Sequence, residues 1–167
     1  FMTTNVSRGA TGANPVFTGA IPTTAATNGT LRTFDETLIK AAMLAAFTSG
    51  GEPSIAIMPP ALKQKASTFP GIAAQRRETG DNMAVIIGSA DVYKSDFGDV
   101  QFVADRHCST RDVLIIDPQY WAVSFLRNLS QEPLAKTGDS EKRQLLAEFT
   151  LVARNEASSA LIADVQV

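Results

Sequence analysis

The stretch LAKTGDSEKRQLLAEFTLVARNE, residues 134–156, decides how this chain is read. From Arg143 the odd positions run Arg143, Leu145, Ala147, Phe149, Leu151 and Ala153, while Lys142, Gln144, Glu148, Thr150 and Arg154 hold even positions. Successive side chains of a strand point to opposite faces, so this alternation predicts a long strand with one wet face. Glu, Lys, Gln and Leu also permit a helix by propensity. Ala135-Lys-Thr-Gly-Asp139 then reads as the turn that opens the strand, with Gly138 supplying its flexible position. Asn155-Glu-Ala-Ser-Ser159 reads as the next turn, and residues 160–165 as the returning strand.

Lys136-Thr137-Gly138 also matches a triplet of penicillin-reacting enzymes, which needs a Ser-x-x-Lys nucleophile beside it. No serine in the chain has a lysine three residues on, and Ser140 is followed by Arg143, which cannot act as a base. A phosphate-binding loop needs Gly-Lys-Ser/Thr, and the chain contains no Gly-Lys pair. Asp96-Phe-Gly98 copies three letters of the kinase magnesium motif without the glycine-rich or catalytic loops that give them meaning, so it reads as a turn.

Bulk properties narrow the classes further. The chain has 167 residues, 44% of them hydrophobic and 19% charged, enough for one domain with a core of its own. A net charge of -2 argues against dedicated nucleic-acid binding, which needs a concentrated excess of Lys and Arg. One cysteine, Cys108, excludes an internal disulfide and a multi-cysteine zinc site, and weakly suggests a reducing compartment. One histidine, His107, excludes a two-histidine metal site. No apolar run approaches the roughly 20 residues that a membrane-crossing helix needs. Three glycosylation-like triplets, at Asn5, Asn28 and Asn128, are read as chance matches.

Residues 1–32, crowded with Thr, Ala, Gly, Asn and Pro, read as an extended arm that needs the body of the chain or a neighbour to lie against. Thr33-Phe-Asp-Glu36 has the form of a capping box. Leu38, Ile39, Ala42, Met43, Ala46 and Phe47 follow at helical spacing until Gly50-Gly51 stops the run. Ser54-Ile-Ala-Ile-Met58 predicts a buried strand, and Pro60 opens a second helix through Phe69. Arg76, Arg77, Glu78 and Gly80 mark an exposed connection. Ala84–Ile87 reads as a strand, Asp91–Tyr93 and Val100–Val103 as a hairpin around Asp96-Phe-Gly-Asp99, and Val113–Ile116 as another buried strand. Tyr120–Phe125 is a candidate for one more.

Taken together, several landmarks resemble one family. They are the arm from Phe1-Met-Thr-Thr-Asn5, the helix after Thr33-Phe-Asp-Glu36, Gly50-Gly51 with Pro53, and Ile57-Met-Pro-Pro60. Tyr93-Lys-Ser-Asp-Phe-Gly98, Leu134-Ala-Lys-Thr-Gly-Asp-Ser140, and Glu148-Phe-Thr-Leu151 with Asn155-Glu156 complete the series. The chain resembles the major capsid proteins of tailed phages and prophages with the Hong Kong phage coat fold, in a branch long carried as a phage family of unknown function. The resemblance implies an α+β phage major capsid fold, with an axial-domain sheet flanked by helices and part of a peripheral-domain β-hairpin. It implies an arm over 1–32 continuing from an N-terminal half with a spine helix, an axial-like domain over 33–133, and a long strand pair over 134–167. Phe1 is then an internal residue, and residues cut off from the spine helix are expected to form a monomer or a small non-native oligomer.

The implied function is structural. The expected partners are copies of the same chain in capsomers, with portal and scaffold proteins as further candidates, enclosing DNA without specific recognition and using no cofactor, metal or membrane. The expected location is the virion, and the host cytoplasm before assembly. Lys136, Asp139, Lys142, Arg154 and Glu156, at the long strand and its turns, are the candidate subunit-interface residues; an ordinary solvated face or internal ion pairs is the competing account of each. Two rival readings stay open. One is a small α/β hydrolase or ligand-binding domain using Asp105, Arg106, His107, Arg111 and Asp112, which calls for a deep pocket around His107. The other is a different virion part, such as a tail or decoration protein.

Overall fold

The computed structural model describes residues 3–19, 21–69, 78–79, 83–84, 91–136 and 138–167. Its strands are β1 (Val6–Ser7), β2 (Val16–Thr18), β3 (Ile21–Thr24), β4 (Arg32–Thr33), β5 (Ile55–Met58), β6 (Glu78–Thr79), β7 (Met83–Ala84), β8 (Val92–Ser95), β9 (Gly98–Ala104), β10 (Val113–Ile116), β11 (Trp121–Pro133), β12 (Arg143–Ala153), β13 (Ala160–Ile162) and β14 (Val165–Gln166). Two α-helices, α1 (Glu36–Thr48) and α2 (Pro60–Ala66), lie between β4 and β6. The chain divides into two compact units, residues 1–118 with 155–167, and residues 119–154.

The first unit is built on a six-stranded mixed sheet in the order β1-β13-β10-β5-β9-β8. Pairing is parallel for β1 with β13 and for β5 with β9, and antiparallel elsewhere. Alternation explains which side chains go inside. Ala56 and Met58, Val100 and Phe102, Val113 and Ile115, and Ala160 and Ile162 are buried, two from each strand, as the two-residue period of a strand requires. They meet Ile39, Met43 and Ala46 of α1 and Leu62 and Ala66 of α2 in one core, completed by Phe34 packed on Phe69. The architecture is α+β, as expected.

The helix start differs from the capping box read in the sequence. Asp35 is the N-cap, and its carboxylate accepts from Leu38 N at 3.2 Å. Thr33 is still strand, paired with Gln166, and Phe34 N donates to Gln166 O at 2.9 Å, so the chain is held extended for two residues longer. Gly50-Gly51 ends α1 as expected. Gly50 has φ +83, and a Cβ on Gly51 would lie 2.2 Å from Ser158 O. Helix α2 starts at Pro60 and stops at Ala66, three residues short of the expected Phe69. Asp96-Phe97 is the turn between β8 and β9, with Ser95 Oγ donating to Gly98 O at 2.8 Å and accepting from Phe97 N at 3.2 Å.

The arm is more ordered than its composition suggests. It contributes β1 to the sheet, folds β2 against β3, and delivers β4 to β14. The exposed connection around Arg76, Arg77 and Gly80, and most of the expected 84–87 strand, lie outside the described residues; β6 and β7, which pair with each other, flank positions 80–82.

The second unit is one long antiparallel hairpin. Here the expected partner of the long strand is corrected: β12 pairs with β11, not with residues 160–165. Residues 160–162 are instead β13, inserted between β1 and β10 in the central sheet. Ala160 and Ile162 are fully buried there, and a short 3-10 turn at Glu156–Ser158, capped by Asn155, redirects the chain into that position.

Candidate interaction surfaces

The hairpin sorts its residues by face. Directly opposed residues share a face in an antiparallel pair, so Val123 with Leu151, Phe125 with Phe149, and Gln131 with Leu145 lie on one side. The rings of Phe125 and Phe149 sit 5.8 Å apart. Ser124 with Thr150 and Arg127 with Glu148 occupy the other side, where the guanidinium grips the carboxylate through two bonds of 2.9 and 2.6 Å. Register shifts on β11 between Phe125 and Ser130 interrupt the alternation near Leu126 and Leu129. The apolar side is open: Phe149 is 68% exposed and Leu145 72%. A two-stranded hairpin is marginal by itself, and a contiguous exposed apolar face of this kind marks an interaction surface.

Four of the five sequence-predicted interface residues lie on this unit, and their side chains are exposed. Lys136 pairs with Glu141 at 2.9 Å, and Arg143 approaches the same carboxylate at 3.9 Å. Gly138 takes φ +81, the left-handed conformation its turn demanded; Thr137 of the Lys-Thr-Gly triplet lies outside the described residues. Lys142 contributes its carbonyl to Leu134 N at 2.9 Å and closes the hairpin end, and Asp139 is exposed in the connecting turn. Arg154 closes the other end, its amide donating to Tyr120 O at 2.8 Å. Exposed ion pairs of this type add little to stability, which leaves their charges available to a partner.

Glu156 is placed differently, in the first unit and turned to its own chain. Its carboxylate accepts from the hydroxyls of Thr3 and Thr4 at 2.7 and 2.8 Å and from their amides at 3.3 and 3.2 Å. Burial pushes this carboxyl up, but those bonds outweigh burial and hold it below the ordinary carboxylate range.

The Asp/Arg turns of the hydrolase reading do not form a reactive centre. His107 is exposed, and its amide donates to Asp105 Oδ1 at 2.8 Å in an ordinary aspartate turn. Burial raises the Cys108 thiol, which makes it a poorer nucleophile. Arg111 faces away into a structural cluster, donating to Asp164 at 2.7 Å and to Gly29 O at 2.7 Å. A groove of about 370 Å³ lies elsewhere, between α1 and the β8–β9 turn, lined by Lys40, Leu44, Tyr93 and Phe97 among others.

That cluster is what sequence reasoning missed. Asp164 is 1% exposed and left-handed at φ +59; its carboxylate also accepts from Gly9 N at 3.3 Å. Arg32 donates to Ser7 O, Ser7 Oγ and Ala163 O. Gly9 and Gly29 cross so closely that a Cβ on Gly29 would sit 2.5 Å from Gly9 O. The only signal was a charged residue between a short apolar run, Leu161-Ile-Ala163, and Val165.

The chain thus presents an apolar strand face and a charged hairpin end, with no catalytic grouping in the turns that had suggested one. No curated protein sequence matches it. The family model for SU10 major capsid protein matches residues 1–166, and the chain belongs to that family: it is a structural subunit of a phage capsid, located in the virion, and not an enzyme.

Proposed function

We propose that the β11–β12 hairpin is the part of this coat subunit that engages its neighbours in the shell. In this reading the unit of residues 1–118 and 155–167 plays the axial role of the Hong Kong phage coat fold, and residues 119–154 play the peripheral one. The observation that carries it is the open apolar face of Val123, Phe125, Leu145, Phe149 and Leu151, each more than half exposed. Burying such side chains yields about 1.5–3 kcal/mol each, and a closed shell repeats every contact many times. Lys136, Asp139, Lys142 and Arg154 set register and orientation around that face, as charged rims do. The neighbours are copies of the same chain, with portal and scaffold proteins as further candidate partners. The packaged DNA is enclosed without base-specific contact, consistent with a net charge of -2.

The test is assembly of the complete coat protein carrying Phe125→Ser and Phe149→Ser. The double variant is expected to keep the circular dichroism and unfolding midpoint of the body and to lose closed particles in electron micrographs. Wild-type shells from it would overturn the proposal.

A further inference from the structure

One edge of the central sheet is covered by very little. Among the described residues, only Val6 and Ser7 lie along the outer side of β13, opposite Leu161 and Ile162, and Leu161 N donates to Asn5 O at 3.1 Å while Ala163 N donates to Ser7 O at 2.8 Å. A two-residue parallel strand has too few bonds to hold its own place. Its upstream side is held by Glu156, through the four bonds from Thr3 and Thr4, with Asn5 Nδ2 adding bonds to Ala157 O at 2.6 Å and Ser49 Oγ at 3.1 Å. Its downstream side is held by Arg32 on the carbonyl and hydroxyl of Ser7.

We propose that Glu156 is a releasable latch: its charged carboxylate seats residues 3–6 along the β13 edge, and neutralising it lets that segment lift away. All four donors are neutral hydroxyls and amides that need an acceptor, and only the ionised carboxylate offers two acceptor oxygens without a proton of its own. A protonated acid, or a glutamine, keeps only a neutral and weaker acceptor for the three bonds on Oε1 and turns a donor towards Thr3 N. Arg32 keeps its grip on Ser7 throughout, so Ser7 is the pivot and the chain before it swings.

The charge surroundings favour this operation. Among the described residues, no charged side chain bonds the Glu156 carboxylate. The charged residue nearest to Glu156 along the chain is Arg154, which is exposed, and the one nearest to Thr3 and Thr4 is Arg8, whose Nε donates to Asn14 Oδ1 at 2.6 Å. The α1 end and the Glu156–Ser158 turn bring Ser49 and Ala157, both neutral. Because the folded carboxyl is held low, the latch is fully closed above the unfolded value of about 4.3 and opens as pH falls below it.

Amide exchange, corrected for intrinsic rates, tests the latch in Glu156→Gln. Exchange at Leu161 is expected to rise about tenfold at neutral pH, with no change at Val165, whose amide donates to Arg111 O. Wild-type Leu161 is expected to converge on the variant as pH falls below about 4. Unchanged exchange at Leu161, or equal acceleration at Leu161 and Val165, would overturn the latch.

Discussion

At the scale of single residues, Asp164 does the most to tie the chain's two ends together. It receives the amide of Gly9, pairs with Arg111 and gives its carbonyl to Arg32 N, all from a left-handed backbone. Removing the carboxylate leaves the partly buried Arg111 guanidinium its bond to Gly29 O but takes away its counter-charge, an effect of about 1.5–3 kcal/mol for a hydrogen bond to a charged group. Asp164→Ala is therefore expected to lose about that much in urea unfolding. Asp164→Gly loses the same carboxylate but relieves the left-handed strain, and should be less damaging by about 1 kcal/mol. Equal destabilisation by the two would show that the backbone strain is negligible. Burial raises the Asp164 carboxyl, yet the bonds from Gly29, Arg111 and Gly9 bring it below the usual range. Its contribution is thus complete above about pH 4 and fades as acid titrates the folded value, so Asp164→Ala and wild type should draw together in acid unfolding.

Elements differ in how much of them could be read from the amino acids. Helix α1 was legible because its apolar spacing and its glycine stop are local, and only the cap was misplaced, since the β4–β14 pairing that holds Thr33 extended joins residues far apart in sequence. The strand at 143–153 was legible for the same reason. Its partner was not: alternation states that a strand has two faces but says nothing about which other strand lies beside it. Residues 160–162 were assigned to the hairpin because they follow it, whereas two fully buried side chains draw them into the body. The charged candidates Lys136, Asp139, Lys142 and Arg154 were named for their place on the long strand and its turns, which is local, while the Asp164 cluster depends on a crossing of residues 9, 29 and 164 that no local pattern encodes. Element by element, the hairpin should also be the softest part of the chain. Its amides are expected to exchange faster than those of β10, which is bonded on both sides by β5 and β13. Comparable protection in a dilute, unassembled sample would show that the open face is stable without a partner.

For the whole molecule, the balance between apolar and charged contacts decides how the shell should respond to salt. The hairpin carries large exposed Val, Leu and Phe side chains on one face, while its charges sit at the ends and across the back, as in the pairs Lys136–Glu141 and Arg127–Glu148. Ion pairs between exposed groups are screened when the Debye length falls from about 10 Å at 0.1 M to about 3 Å at 1 M, whereas burial of apolar surface is undiminished by added salt and strengthened by sulfate or phosphate. If the apolar face provides the affinity and the charged ends only the register, assembled particles of the complete coat protein should survive transfer from 0.1 M to about 1 M sodium chloride. Reversing Lys136 and Lys142 to Glu should then slow assembly at low salt and increase malformed particles, with the difference from wild type shrinking as salt rises. Light scattering across a salt series measures both effects. Dissolution of wild-type shells at high sodium chloride would mean that the charges, and not the Phe125–Phe149 face, hold neighbouring subunits together.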